Sequence, residues 1–539
     1  MVSEGRKHKL FLFFIPLYTL ILSCIFLHKA VPFYQTQPDP CYIHLFNATN
    51  LASGHMEIGN TDNPGTTIQC FGAVVVLAKF LFSHSEPELY RDVILNPEGY
   101  LFACGVALIV LLVLVNYLVG AYIFRHTSNM GTAILFQLAP LINVNIIQRG
   151  IVLGPEAAII ISAGFFMAYL YVNSGKQSTM RVIITCAVFS AFMIASKYTS
   201  FPVVILVLFI LQGSKYRLVY LAATVAAFFV FIIPAIPKLN GMFQWVWSIA
   251  AHDGIYGKGE ARIVNPVQFF NNLQGIILTD AVFSSIYGLI TFAFFFSLTA
   301  YIRKKKAPPF SRTITGVWVS VTVLILVVAK HAEFHYLIFA ECCFPLGLVV
   351  SYKILSPYAR SIIKNYGAIE KIATYSFLSV LCIFLVIEKI RYIPLRQPKW
   401  VGVNGYISKY KNIPLIVSIK DGMACETEEP ALFLGYMYSG NMQAEYSSFL
   451  NKLYPNTWIY WSNVHRLLNW NKEAAPNELL DKTGQVLIYT KGYDEAARIN
   501  VIHSLEGDTL TSTKKFTEQE VFSNEATLQR VSLITKIKS

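Results

Sequence analysis

Charge is what this chain has least of. Asp, Glu, Lys and Arg make up 14% of its 539 residues, against roughly a quarter in a soluble domain of ordinary composition. Hydrophobic residues reach 55% and the mean hydropathy is +0.49. These values exclude an ordinary soluble enzyme and point to a membrane protein. The nine cysteines show no metal-ligand spacing. Cys24, Cys104, Cys186, Cys342, Cys343 and Cys382 lie in apolar runs, where the thiol acts as a small apolar group. Cys41 and Cys70 share one polar stretch, so a disulfide is conceivable there, but sequence does not fix pairing. A convincing internal repeat, a nucleotide-binding fingerprint and a catalytic triad are also missing.

What the chain has is long apolar runs. A helix needs roughly 20 apolar residues to cross the hydrocarbon core. Candidate spans fall near 10–28, 100–123, 131–147, 153–173, 181–196, 199–213, 217–235, 279–302, 313–330, 335–353 and 371–390. The run 66–83 is shorter and carries Lys79, which predicts a helix lying along the membrane surface. The first span has a basic flank, Arg6, Lys7 and Lys9. It lacks a small-residue cleavage site and reads as an uncleaved anchor.

With the N-terminus in the cytoplasm, seventeen Lys and Arg fall in inner loops and nine in outer loops before residue 389. This is the positive-inside bias, and it accounts for the net charge of +13 without a nucleic-acid partner. Acidic residues are nearly absent inside, where only Glu4 and Glu370 occur. Eleven crossings place 391–539 outside. Charge density doubles near residue 390, which predicts a membrane domain over 1–390 and a soluble α/β domain over 391–539. In the latter, Ile413–Lys420 and Gln485–Lys491 read as strands. Ala431–Asn441 and Ser447–Leu453 read as helical or mixed.

The polar residues that could carry chemistry gather in the predicted outer loops. The loop 29–99 opens with Asp39-Pro40-Cys41-Tyr42-Ile43-His44. Asp39 stands where a helix would begin, with Pro40 at its first position, so it reads equally as an N-cap and as a catalytic carboxylate. Tyr42, Leu45, Phe46 and Leu51 recur as on an amphipathic interfacial helix. Asp62-Asn63-Pro64-Gly65 is a turn. Arg149, Lys197, Lys330 and His331 sit in very short outer loops, against the positive-inside trend. Each alone can be a snorkelling side chain. Together they suit a lipid-linked phosphate. Gly154-Pro155-Glu156 opens a span. The loop 236–278 carries His252, Asp253, Tyr256, Lys258 and three glycines, and reads as a substrate loop or a flexible one. Glu341 lies well inside a span.

These stretches together resemble the GT-C class of membrane glycosyltransferases, the group of the protein O-mannosyltransferases and the lipid A aminoarabinose transferase. The likeness is nearer to bacterial Rgt-type and family-39-type members. The residues that carry it are Asp39-Pro40-Cys41-Tyr42, Asp62-Asn63-Pro64-Gly65-Thr66, Gly154-Pro155-Glu156, Lys197-Tyr198-Thr199, His252-Asp253-Gly254-Ile255-Tyr256-Gly257 and His335-Tyr336-Leu337. The resemblance covers roughly residues 1–390. It implies an all-α polytopic fold with about eleven transmembrane helices and a polyprenyl-phosphate sugar donor. It further implies transfer to a lipid, glycan or protein acceptor on the non-cytoplasmic face of the cell membrane.

By the same resemblance Asp39 is the catalytic base. Arg149, Lys197, Lys330, His331, His335 and Tyr336 are implied to hold the donor phosphate. Tyr42, His44, Asp62, Asn63, Glu156, His252, Asp253, Tyr256 and Lys258 are assigned to the acceptor or its loops. The class often has a second acid where this chain has Pro40, and a His-Pro-Pro-type stretch where it has Asn63-Pro64-Gly65. These departures weigh against a two-carboxylate or metal-binding role in that loop and leave a single base. No cofactor is expected, with a divalent metal left open. The competing expectations are a transporter or flippase of lipid-linked glycans, and a glycan polymerase or ligase.

Overall fold

The computed structural model describes residues 2–362 apart from 63, 254–256, 258 and 306. Beyond these it describes 387, 402–419, 424, 426–461, 466–491, 495–506, 516–525 and 529–537. The expected span 371–390 lies outside the described residues but for Ile387, as do Asn63, Tyr256 and Lys258.

In chain order the helices begin with α1 (Val2–Ala30), α2 (Phe33–Thr36), α3 (Pro38–Ala52), α4 (Thr66–Phe82), α5 (Leu89–Leu95) and α6 (Pro97–Thr127). There follow α7 (Met130–Gln137), α8 (Val144–Gly150), α9 (Pro155–Asn173), α10 (Met180–Ser196), α11 (Pro202–Ile210) and α12 (Ser214–Phe231). The series continues with α13 (Leu239–Ala251), α14 (Pro266–Thr279), α15 (Ala281–Lys304), α16 (Ser311–Ala329) and α17 (Ile338–Ile362). Their starts are chemically marked. Asn129, Asn143, Thr179, Asn265 and Asp280 each accept a backbone N–H at the head of a helix. Pro155, Pro202 and Pro266 take the first helical position, where the missing N–H is harmless.

Seven helices among the described residues are long and apolar enough to cross a membrane. They are Phe11–Ala30, Pro97–Thr127, Pro155–Asn173, Ser214–Phe231, Ala281–Arg303, Ser311–Ala329 and Phe334–Ser361. The expected spans 181–196 and 199–213 are helical but shorter, Met180–Ser196 and Tyr198–Ile210. The expected span 131–147 is corrected. It breaks into α7, a 3-10 turn at Ala139–Leu141 and α8. Pro140 cannot continue α7, and the Asn143 side chain caps a fresh start by accepting from Asn145 N at 2.9 Å.

The chain forms two compact units. One comprises Met1–Leu27, Thr61–Ile68 and Gly105–Pro394, and the other His28–Asn60, Gln69–Cys104 and Leu395–Ser539. In the first, helix packs on helix. Gly316 and Gly347 permit close approaches, since a Cβ on Gly347 would lie 2.5 Å from Ile290.

The second unit contains a mixed seven-stranded sheet, as the α/β expectation required. Its strands are β1 (Leu415–Ile419), β2 (Thr457–Trp461), β3 (Arg466–Leu468), β4 (Glu473–Ala474), β5 (Gln485–Lys491), β6 (Phe516–Asn524) and β7 (Gln529–Lys536). Their spatial order is β4-β3-β2-β1-β5-β7-β6. β1 runs parallel to β2 and β5, and every other pairing is antiparallel. β1 and β5 are buried along nearly their whole length, as central parallel strands must be. Ile416, Leu467, Val486, Ile488, Val501 and Ile534 form the core beside them. The helices of this part are α18 (Val403–Ile407), α19 (Glu429–Met437), α20 (Gln443–Leu453), α21 (Pro476–Thr483) and α22 (Glu495–Glu506).

The interfacial expectation for α3 is also corrected. Every residue from Cys41 to Asn50 is buried, so this helix has no face left for a membrane surface. Its polar side is satisfied by protein. Asn47 Nδ2 donates to Tyr438 O at 2.8 Å and Asn50 Nδ2 to Ser439 O at 2.6 Å. Tyr446 donates to Asn50 Oδ1 at 2.6 Å. The Phe46 ring fills the space left by Gly435, where a Cβ would lie 2.7 Å away. Cys41 and Cys70 are both free thiols, so the conceivable disulfide does not form.

Candidate functional site

The best-formed polar cluster lies in the helical unit, where several helix ends meet. Glu156 occupies the first turn of α9, brought there by Pro155. Lys197 follows the last residue of α10 and has extended backbone. The two side chains form an ion pair, and they are 4% and 3% exposed. A bare charge in such a site would be prohibitive, so each makes the other tolerable. The 3-10 turn Phe334–Leu337 brings His335 and Tyr336 to the same place. Lys197 Nζ stands 4.5 Å from the centre of the Tyr336 ring, a cation–π distance. Arg149, near the end of α8, acts electrostatically on both Glu156 and His335. Four of the six residues assigned to the donor phosphate thus converge, from three separate segments, around Glu156.

Lys330 makes its hydrogen bonds at another helix end. Lys330 Nζ donates to the carbonyls of Ile249 and Ala250, the latter at 3.0 Å. It therefore caps the C-terminus of α13, where carbonyls lack helical partners and the helix dipole favours a cation. Burial lowers the Lys330 pKa, and Asp253 opposes that shift. Burial, followed by Lys330, lowers that of His331, which keeps the imidazole neutral at pH 7. Asp253 pairs with Arg262, whose hydrogen bond holds its carboxyl below the usual range. Its backbone N–H donates to Glu260 O at 3.1 Å, so this loop is closed on itself. His252 Nδ1 lies 3.2 Å from Ser248 O. Asp62 belongs to the helical unit; burial raises its pKa, and it acts electrostatically on Tyr198.

A second polar group in the helical unit has no counterpart in the sequence reading. The Asn143 amide donates to Asp280 Oδ2 at 2.9 Å and to Glu341 Oε1 at 2.7 Å. Its own Oδ1 caps α8, and Asp280 Oδ1 caps α15 through Val282 N and Phe283 N, both at 2.9 Å. Two carboxylates are thereby held by the two N–H bonds of one amide. Glu341 is 4% exposed. α8 is seven residues long, so Asn143 and Arg149 are separated by about 9 Å of helix. An isolated acid in a span signals something, but its partners 198 and 61 positions away cannot be found from one sequence.

Asp39, Tyr42 and His44 fall in the second unit. Asp39 is exposed and extended, φ −99° and ψ 121°, and interrupts α3 just before Pro40. The peptide between them is cis. His44 Nδ1 lies 3.1 Å from Gln69 Nε2. The Tyr42 hydroxyl is fully buried and lies 2.9 Å from both Glu98 Oε1 and Glu428 Oε1. Glu98 also accepts from Phe33 N at 2.7 Å and Tyr34 N at 3.1 Å. A phenol has one proton and can donate to one carboxylate only. The second contact is a hydrogen bond only if the carboxyl is protonated. Burial raises Glu428 from 4.5 to about 7, with the negative charge of Glu98 adding to the shift, which favours a proton on Glu428 below neutral pH.

Among the described residues no three His, Cys, Asp or Glu side chains are grouped as metal ligands. Comparison of the chain with known protein families and with curated proteins finds no match in either.

Proposed function

We propose that this protein is a membrane glycosyltransferase of the GT-C kind, which moves a sugar from a polyprenyl-phosphate donor to an acceptor on the non-cytoplasmic face. The observation that supports this reading most is the meeting of Arg149, Lys197, His335 and Tyr336 around Glu156 at the ends of apolar helices. A departing phosphate gains negative charge as the bond to the sugar breaks. Fixed cations at that position lower the barrier. Arg149 supplies a planar fork for two phosphate oxygens. Glu156 holds Lys197 in one place and leaves the cluster one positive charge in excess when His335 is neutral.

In this reading the acceptor O–H or N–H attacks the anomeric carbon. Asp39 takes the proton as general base. The bond from the anomeric carbon to phosphate oxygen breaks, the polyprenyl phosphate leaves with the electron pair, and the anomeric configuration inverts. Asp39, exposed and with its backbone extended, is accessible to an acceptor.

The test compares the cell-surface glycans of strains with and without the chain by mass spectrometry, alongside Arg149→Ala and Asp39→Asn variants. Loss of one monosaccharide in the null strain and in both variants is expected. Unchanged glycans with altered uptake of a small molecule would overturn the reading in favour of a transporter. That second reading draws support from Glu341, buried within a candidate span beside Asn143, because intramembrane carboxyls are common proton carriers.

A further inference from the structure

Two helices of the helical unit carry apolar stripes that the described residues leave largely uncovered. On α13 the stripe is Leu239, Phe243, Val246, Trp247 and Ala250, which fall on one helical face. Phe243 is 60% exposed and Trp247 72%. On α14, Val267, Phe270 and Leu278 are 71%, 65% and 69% exposed. At 13 and 14 residues, each helix reaches about 20 Å, too short for a bilayer core of about 30 Å.

Another side of α13 meets protein. Met242 is buried, and the Trp245 ring lies 6.2 Å from that of Tyr198, the neighbour of Lys197. Both helices are tied to one turn at the end of α16. Lys330 Nζ holds the terminal carbonyls of α13, and Asn272 Nδ2 of α14 donates to Ala329 O at 3.0 Å. In the chain, α12 leads into α13 and α14 leads into α15. Those flanking helices, α12 and α15, are the candidate spans least covered by protein, with 11% and 22% of their apolar windows buried.

We infer that α13 and α14 lie in the bilayer interface, their Phe243–Trp247 and Val267–Leu278 faces set into the upper acyl chains, both helices fastened at Ala329–Lys330. Three observations select lipid over a protein partner. The bare faces continue in sequence from the two candidate spans least buried by the described residues. The helices are too short to cross. Their exposed side chains include the large aromatics that favour the boundary between headgroups and acyl chains. The inference concerns the bilayer itself and stands whether or not the protein is a transferase.

The test uses the full chain in nanodiscs of phosphatidylcholine brominated near the top of its acyl chains. The Trp247 signal is the difference between the emission of the native protein and that of Trp247→Phe. Quenching of that signal by brominated lipid, with indifference to aqueous iodide, is expected. A Phe270→Trp variant reports on α14 in the same way and must show the same pattern. Quenching by iodide alone would overturn the inference by placing the stripe in water. Quenching by neither would overturn it too, because the stripe would then be covered by protein, as in contact with a second copy.

Discussion

Glu156 and Lys197 hold each other in a site that water scarcely reaches, one from the first turn of α9 and one from the end of α10. Such a pair is costly to assemble and more costly to break. Lys197→Met leaves the Glu156 charge in the dry site with its main partner gone. It should lower stability by about 3–5 kcal/mol. Glu156→Gln combined with Lys197→Met removes both charges and should recover most of the loss. Thermal unfolding of the detergent-solubilised protein measures both. Recovery that fails would mean that the pair does not account for the stability of this corner.

The Glu428 carboxyl makes stability depend on pH in a defined direction. In the folded chain it keeps its proton up to about pH 7, whereas its ordinary value is 4.5. Between these values the folded state binds more protons than the unfolded one. Stability therefore falls as pH rises through that window and is level above it. The Tyr42 hydrogen bond opposes this rise, whereas the charged neighbours Glu98 and Glu429, both acids, add to it. Glu428→Gln retains a donor for Tyr42 but cannot titrate. Unfolding midpoints recorded from pH 4 to pH 8 should slope downward in the native protein and flatten in this variant. Equal slopes would assign the proton elsewhere.

How much of this can be read from the residues varies with how local the determinants are. β5 is found where its apolar run predicts it, at Gln485–Lys491, and β1 within two residues of expectation. Buried central strands announce themselves by continuous apolar runs. β6 does not, because as an edge strand it is mostly exposed and polar. α3 shows the opposite failure. Its apolar spacing is visible, but spacing alone assigns its polar side to solvent. Asn47 and Asn50 are instead buried by partners 391 and 389 residues away. The same distance hides the Asn143 group. Asn47-Ala48-Thr49 matches a glycosylation sequon, but its amide is buried, since Asn47 Nδ2 is committed to Ile43 O and Tyr438 O, both at 2.8 Å. The convergence of Arg149, Lys197, His335 and Tyr336 is legible only because all four lie at span ends. Lys330 has the same signal and a different task.

Glycine contacts give a graded packing test. A Cβ on Gly435 would sit 2.7 Å from the Phe46 ring, and one on Gly59 would sit 2.3 Å from the Gly440 backbone nitrogen. A side chain can yield, but backbone cannot. Gly435→Ala should cost about 1–3 kcal/mol, and Gly59→Ala should cost more. Gly164, inside α9 with nothing within 4 Å, is the control. Gly164→Ala should raise stability by about 0.5–1 kcal/mol, because alanine loses less entropy in a helix. Chemical denaturation of the three variants ranks them. A Gly59→Ala variant as stable as the native protein would contradict the close approach of Gly59 to Gly440.

Asn143 hydrogen-bonds two carboxylates at once. Its amide is neutral, so it cannot offset their charge, but it provides each with a hydrogen bond. Asn143→Ala removes both bonds and the cap on α8, and should lower stability by about 2–4 kcal/mol. Asn143→Asp keeps the cap but turns two donors into a third carboxylate. Repulsion between the introduced carboxylate and those of Asp280 and Glu341 is then relieved only by protonation. The Asn143→Asp variant should therefore be the less stable of the two at pH 8 and regain stability on acidification, whereas the Asn143→Ala variant should not gain as much. Unfolding midpoints of both variants at pH 5 and pH 8 decide this. If the two variants matched at both pH values, the three groups would be too far apart or too well solvated to interact.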